Sequence, residues 1–224
     1  MVYDLYVITD EKLSQGRLHY EIAEQAILGG VDVIQLRDKE CSCADLIASA
    51  SAIRNLTKKN NTLFIVNDRL DVALITGADG VHLGQDDISL EQARRITPKE
   101  FIIGISVGSI EEAVRAEMDG ADYIALSPTF TTPSKENAGP GHGLCMLTAI
   151  RSQISIPLLA IGGITCSNVT EVILAGADGV AVISAVVSSR DIKSAVREMK
   201  IAITAAKVMY TKKVGNEGQA HDEE

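Results

Sequence analysis

Gln35-Leu36-Arg37-Asp38-Lys39 sets an amide, a guanidinium and an ammonium at alternate positions. In extended chain those three side chains leave on one side, and such a trio answers an anion. Two aspartates follow later apolar runs, in Asn67-Asp68-Arg69 and in Gly84-Gln85-Asp86-Asp87. Two carboxylates facing each other repel. A hard divalent cation that takes oxygen ligands and substrate phosphates relieves this, which is magnesium chemistry. Asp68 and Asp87 are therefore the candidate metal ligands. Ile161-Gly162-Gly163-Ile164-Thr165 and Ile183-Ser184 offer backbone N–H groups of the kind that approach phosphate closely. The stretch from Ser127 to Gly143 interleaves Thr131, Thr132 and Ser134 with Lys135 among glycines and prolines, as a phosphate clamp would. Each motif alone has a plain structural reading: a solvated strand end, a capping aspartate, a tight turn, a surface excursion. Together they make two anion-binding poles, one sharing a metal. That pairing suits two phosphorylated substrates, one with diphosphate as leaving group. Such a transfer needs charge neutralised on the departing oxygen more than it needs a general base.

These residues lie far apart along the chain, so a scaffold must gather them. Apolar runs predict strands over Leu5–Ile8, Val31–Gln35, Leu63–Val66, Gly80–Leu83, Phe101–Ile105, Tyr123–Leu126, Pro157–Ala160 and Gly179–Ile183. Helical stretches separate them, from about Arg17 to Leu28, Ala44 to Lys59, Leu70 to Ile75, Ser89 to Arg95, from Ser109 onward, and finally Ile192 to Met209. A Gly, a small apolar residue and an Asp precede every second strand, in Gly30-Val31-Asp32, Gly77-Ala78-Asp79, Gly120-Ala121-Asp122 and Gly176-Ala177-Asp178. Each glycine stops a helix and feeds a buried strand. Apolar runs without strict alternation suit a parallel sheet covered by helices. The fold expected is a single (β/α)8 TIM barrel over residues 1–210, with residues 211–224 a polar acidic tail expected to be disordered. In such barrels the site lies at the C-terminal ends of the strands, where the candidate phosphate-binding and metal-binding residues fall.

The chain has 224 residues, 46% hydrophobic and 23% charged, which suits one large globular domain. Its formal net charge of -9 argues against a nucleic-acid or anionic membrane surface as partner. No apolar run reaches membrane-spanning length. Cys41, Cys43, Cys145 and Cys166 are too sparse for a disulfide framework and lack zinc spacing, so reduced thiols and a cytoplasmic setting are expected. His82 lies inside a strand and reads as packing, and His19, His142 and His221 show no sequence partner. No Ser-His-Asp set or activated Cys stands out. The oligomeric state is not set by the sequence, and a homo-oligomer stays open.

Gln35-Leu36-Arg37-Asp38-Lys39, Val66-Asn67-Asp68-Arg69, Gly80-Val81-His82-Leu83-Gly84-Gln85-Asp86-Asp87, Ser127-Pro128-Thr129-Phe130, Thr132-Pro133-Ser134-Lys135 and Ala160-Ile161-Gly162-Gly163-Ile164-Thr165 together resemble the thiamine phosphate synthase family, in order, from Leu5 to about Ser188. The resemblance implies a transferase that joins 4-amino-2-methyl-5-(diphosphomethyl)pyrimidine to 4-methyl-5-(2-phosphoethyl)thiazole with magnesium, releasing diphosphate. By match to the family's motifs, Gln35, Arg37, Lys39 and Asn67 would hold the pyrimidine diphosphate, and Asp68 and Asp87 the metal. Ser106 and Lys135 would contact the departing diphosphate. Thr132 and Ser134 would hold the thiazole phosphate with the backbone of Gly163, Ile183 and Ser184. Ser134 stands where the family commonly has Thr, and Gly141-His142-Gly143 is less typical. A related thiazole tautomerase and a non-catalytic phosphate-binding barrel are the alternatives. The tautomerase depends on a His near the start of the strand-six loop, where this chain reads Ser127-Pro128-Thr129.

Overall fold

A computed structural model describes residues 3–134 and 139–221. Eight parallel strands close in sequence order into a barrel: β1 (Leu5–Ile8), β2 (Val33–Leu36), β3 (Leu63–Asn67), β4 (Gly80–Leu83), β5 (Ile102–Val107), β6 (Tyr123–Leu126), β7 (Leu158–Ile161) and β8 (Gly179–Val182). β1 pairs with β8 through Leu5↔Val180, which completes the circle. Around it lie α1 (His19–Gly29), α2 (Cys43–Asn60), α3 (Leu70–Thr76), α4 (Leu90–Ile96), α5 (Ile110–Met118), α6 (Gly143–Arg151), α7 (Val169–Leu174), α8 (Ser184–Val187) and α9 (Ile192–His221). The TIM barrel expected from the apolar runs is thus the fold found. The last helix does not end near Met209: α9 continues to His221. Residues 222–224 lie outside the described residues.

Both faces of the strands are covered, which is why they read as continuous apolar runs: β1, β2, β4, β6, β7 and β8 are buried at every position. Ser42, Ser89 and Ser109 cap α2, α4 and α5 by accepting from Asp45, Gln92 and Glu112 backbone N–H groups. Glu112 completes a shifted capping box, since its carboxylate takes the N–H of Gly108 at 2.7 Å.

The Gly-x-Asp repeat has a physical cause that spacing alone does not reveal. Asp32, Asp79, Asp122 and Asp178 each clasp the first or second residue of the strand before their own. Their carboxylates accept the N–H of Leu5 at 2.9 Å, Phe64 at 2.8 Å, Ile103 at 2.7 Å and Leu158 at 2.8 Å. Their own N–H groups return to the carbonyls of the same four residues. Each carboxylate also pairs with a cation from a covering helix: Lys200 at 2.7 Å, Arg54 at 2.9 Å, Arg94, and Arg151 at 2.8 Å. The N-terminal rim therefore carries a fourfold belt in which one side chain satisfies strand backbone and fixes a helix. The opposite rim is left free for chemistry.

Candidate active site

At the C-terminal rim the strand ends enclose an open cavity of about 970 Å³, reaching down to Tyr6 and Tyr123 in the barrel interior. Gln35, Arg37 and Lys39 all line it, although β2 ends at Leu36 and only Gln35 lies within the strand. Gln35 is buried and donates to the Tyr6 hydroxyl at 2.7 Å. Arg37 faces Asp10 at 3.5 Å, and Lys39 reaches Asp68 at 3.0 Å with more than half of its side chain exposed. An exposed ion pair of this kind contributes little and is readily exchanged for another anion.

Asp38 turns away from that trio. It accepts the N–H groups of Glu40 at 2.9 Å and Cys41 at 3.0 Å and meets His19 Nε2 at 3.2 Å. Burial pushes its carboxyl up, but the two N–H groups and then His19 outweigh burial and hold it at about 2. His19 does have partners: its ring is buried between Asp38 and the Thr9 hydroxyl, 2.8 Å from Nδ1. Thr9, His19 and Asp38 so brace the loop that carries Arg37 and Lys39.

Asn67 ends β3 beside Asp68, which holds a left-handed backbone at φ 58 and donates its N–H to the His82 carbonyl at 2.9 Å. Asp tolerates that conformation better than most residues, and strain of this kind collects where a side chain must be aimed. Asp87 accepts the Gly84 N–H at 2.7 Å. Burial raises the Asp87 carboxyl, the Gly84 N–H opposes it, and the neighbouring charge of Asp68 raises it further. Two oxygen donors that repel each other at a cavity wall suit a hard divalent cation. Among the described residues no third His, Cys, Asp or Glu joins them. Such an ion would be held by Asp68 and Asp87 with the remaining positions left to water and substrate phosphate.

Ser106 on β5 lies across the cavity mouth, its hydroxyl 2.9 Å from His82 Nε2, while its carbonyl accepts from Gln85 at 2.7 Å. His82 is not mere packing. Its ring lines the cavity, stacks 5.6 Å from Tyr123 and places Nδ1 3.0 Å from the Tyr123 hydroxyl.

The second pole opens beside the first. Thr132, Ser134, Gly163, Ile183 and Ser184 line one pocket between the loop after β6 and the ends of β7 and β8. Ser134 donates to Ser184 Oγ at 3.2 Å, and its N–H meets Thr132 Oγ1 at 3.2 Å. Gly162 and Gly163 have φ values of 102 and 65, and a Cβ on either would lie 2.8 Å from Pro128 or Phe130. The Gly-Gly pair is therefore demanded twice, by a left-handed turn and by the backbone that crosses it, where Thr129 and Phe130 donate to Ile161 and Gly162 carbonyls. Asn168 locks the turn by donating to the Gly163 carbonyl at 2.9 Å and accepting the Thr165 N–H at 2.9 Å. Lys135 lies outside the described residues. Tyr6, Tyr123, Asn168 and the bracing role of His19 carry no local signature in the chain. A polar ring in the middle of an otherwise apolar barrel strand was the one available signal, in His82.

The comparisons with known proteins meet this geometry. A family model described as thiamine monophosphate synthase matches residues 5–186, the whole barrel through β8. The chain belongs to the thiamine monophosphate synthase family. A thiamine-phosphate synthase of Methanoculleus marisnigri is 59% identical over 92% of this chain and 98% of its own length. That of Methanocella arvoryzae is 57% identical over 91% and 96%. The solved thiamine phosphate pyrophosphorylase from Pyrococcus furiosus superposes with a TM-score of 0.85 at 40% identity, covering 91% of this chain and 96% of its own. A 3-hexulose-6-phosphate synthase at 20% identity and a TM-score of 0.68 shares the fold.

Proposed function

We propose that this enzyme is a thiamine-phosphate synthase, a transferase that joins 4-amino-2-methyl-5-(diphosphomethyl)pyrimidine to 4-methyl-5-(2-phosphoethyl)thiazole and releases diphosphate. The observation that carries the reading is a cavity with Arg37 and Lys39 beside paired carboxylates, adjoined at Ser134 by a pocket with the Ser134–Ser184 hydroxyls over a Gly-Gly turn. That layout supports two phosphorylated substrates bound with their reactive ends toward each other.

Magnesium, held by Asp68 and Asp87, would supply charge neutralisation for the diphosphate oxygens. Lys39 gives up Asp68 to the arriving anion, and Arg37 and Ser106 add donors on the departing oxygen. Lys135 would contact the departing diphosphate, by match to the family's motifs. Gln35 and Asn67 hold the pyrimidine portion. Thr132 and Ser134, with the backbone at Gly163, Ile183 and Ser184, hold the thiazole phosphate. The bond from the pyrimidine methylene to diphosphate oxygen breaks with its electron pair leaving on oxygen, and the aminopyrimidine ring carries the resulting positive charge. The thiazole nitrogen lone pair then forms the new C–N bond. No proton moves, which is why the cavity needs donors and charge but no general base.

Incubation of the purified protein with both phosphorylated heterocycles and magnesium tests this: thiamine phosphate and diphosphate should form in equal amounts. Absence of both, with turnover of a thiazole tautomer, would instead assign a tautomerase.

A further inference from the structure

Five polar groups form one hydrogen-bonded line through the barrel interior. Gln35 Nε2 donates to Tyr6 Oη at 2.7 Å, Tyr6 and Tyr123 hydroxyls lie 3.0 Å apart, Tyr123 Oη is 3.0 Å from His82 Nδ1, and His82 Nε2 is 2.9 Å from Ser106 Oγ. The line runs from β2 through β1, β6 and β4 to β5. A built-in gap permits it. His82, Gly104 and Tyr123 stand side by side in the ladder, and a Cβ on Gly104 would fall 2.0 Å from the Tyr123 ring. Only a glycine there lets the phenol cross β5 and reach the imidazole.

A hydroxyl has one proton, so the order of donors propagates. In the order that gives Ser106 a free hydrogen, Tyr6 accepts from the Gln35 amide and gives its own proton to Tyr123. Tyr123 then gives its proton to Nδ1 of a neutral His82, which leaves the imidazole proton on Nε2, pointing at Ser106. Burial keeps both phenols protonated, so the order does not break at neutral pH. Ser106 Oγ accepts from His82 and has its hydrogen left for the cavity. Diphosphate oxygens only accept, so a donor is what the departing group requires of Ser106.

We propose that His82 is a positioning residue, locked as the Nε2–H tautomer by the Gln35–Tyr6–Tyr123 line, and that it turns the Ser106 hydroxyl hydrogen toward the departing diphosphate. The inference rests on the reading of Ser106 as a diphosphate contact. In the reverse order Ser106 would spend its proton on His82 and present only lone pairs to an anion.

Nitrogen-15 NMR of the free, full-length protein with labelled histidine reads the tautomer directly, the His82 signals being those absent from the His82→Gln protein. A bare Nδ1 and a protonated Nε2 are expected; the opposite pattern, or averaging of the two, overturns the proposal. Steady-state kinetics separate positioning from packing. His82→Asn can reach Tyr123 but not Ser106, and should lower kcat by about ten- to a hundredfold, the range seen when an orienting partner is lost, with the KM for the thiazole substrate unchanged. His82→Gln returns an N–H near Nε2 and should recover most of that loss. Equal impairment of the two variants, or full activity of His82→Asn, also overturns it. A wild-type protein that forms no thiamine phosphate removes the diphosphate as the acceptor and overturns the functional reading, while the tautomer still decides the hydrogen-bond order.

Discussion

Single residues at the cavity rim trade stability for charge. Asp87 is held beside Asp68 with its carboxyl raised by burial and, against the Gly84 N–H, by its neighbour's charge. A carboxyl whose folded pKa is raised loses stability as pH climbs past its unfolded value, so near pH 7 its ionised form opposes folding. Asp87→Asn keeps an oxygen for the Gly84 N–H and removes the charge. The melting temperature at pH 7 should therefore stay level or rise, while magnesium-dependent diphosphate release should fall by about a hundredfold. Undiminished release in that variant would remove Asp87 from the metal site. Asp38 shows the opposite sign. Its carboxyl is held at about 2, so its contribution is complete above the unfolded value and is lost as pH falls toward 2. Asp38→Asn should lower the melting temperature by the same amount from pH 7 to about 4, with the difference from wild type shrinking below that, as differential scanning calorimetry across pH would show. Gln35, Arg37, Lys39, Asp68 and Asp87 were legible in sequence as candidates because an amide, two cations and two carboxylates, taken together, suit anion and metal chemistry where each alone does not. Tyr6 and Tyr123 were not, since a tyrosine in an apolar strand looks like any core aromatic until the strand across the barrel is known.

At the level of elements, the repeat of glycine and aspartate was visible while its reason was not. The glycines announce helix ends, and that much is local. The aspartates act across strands, and only the closed sheet brings Asp79 to Phe64 and Arg54 together. Asp79→Ala would leave the strand N–H without its acceptor and Arg54 without its anion. A loss of about 1–3 kcal/mol in urea unfolding is expected, with kcat and KM unchanged because the belt lies at the rim opposite the cavity. A comparable loss of activity at constant stability would mean that the two rims are coupled. The Gly-Gly turn after β7 makes the same point. Its motif suggested a phosphate cradle, and the structure adds that the loop after β6 lies directly on it, so the turn and the loop are shaped by each other.

For the molecule as a whole, an acidic protein with net charge -9 sets Arg37 and Lys39 among the carboxylates of the cavity mouth, where they pair with Asp10 and Asp68. Among the described residues no helix is long and apolar enough to cross a membrane. Residues 1–210 should constitute the whole catalytic unit. Ala206 is buried and Tyr210 packs partly against the core, which makes them the last core contacts of α9 among the described side chains. A chain ending after Tyr210 should keep its kcat and its melting temperature, and a fall in either would assign work to the stretch beyond. Read alone, the sequence determined the eight β/α units, the covered parallel sheet and the ligand types at the rim, because helix stops, apolar runs and the valence of a side chain are local properties. Closure of the sheet decided the rest. Which carboxylates face each other, which strand N–H groups the repeated aspartates satisfy, and how a proton order runs from Gln35 to Ser106 all depend on residues distant in sequence meeting across the barrel, and no local pattern encodes that meeting.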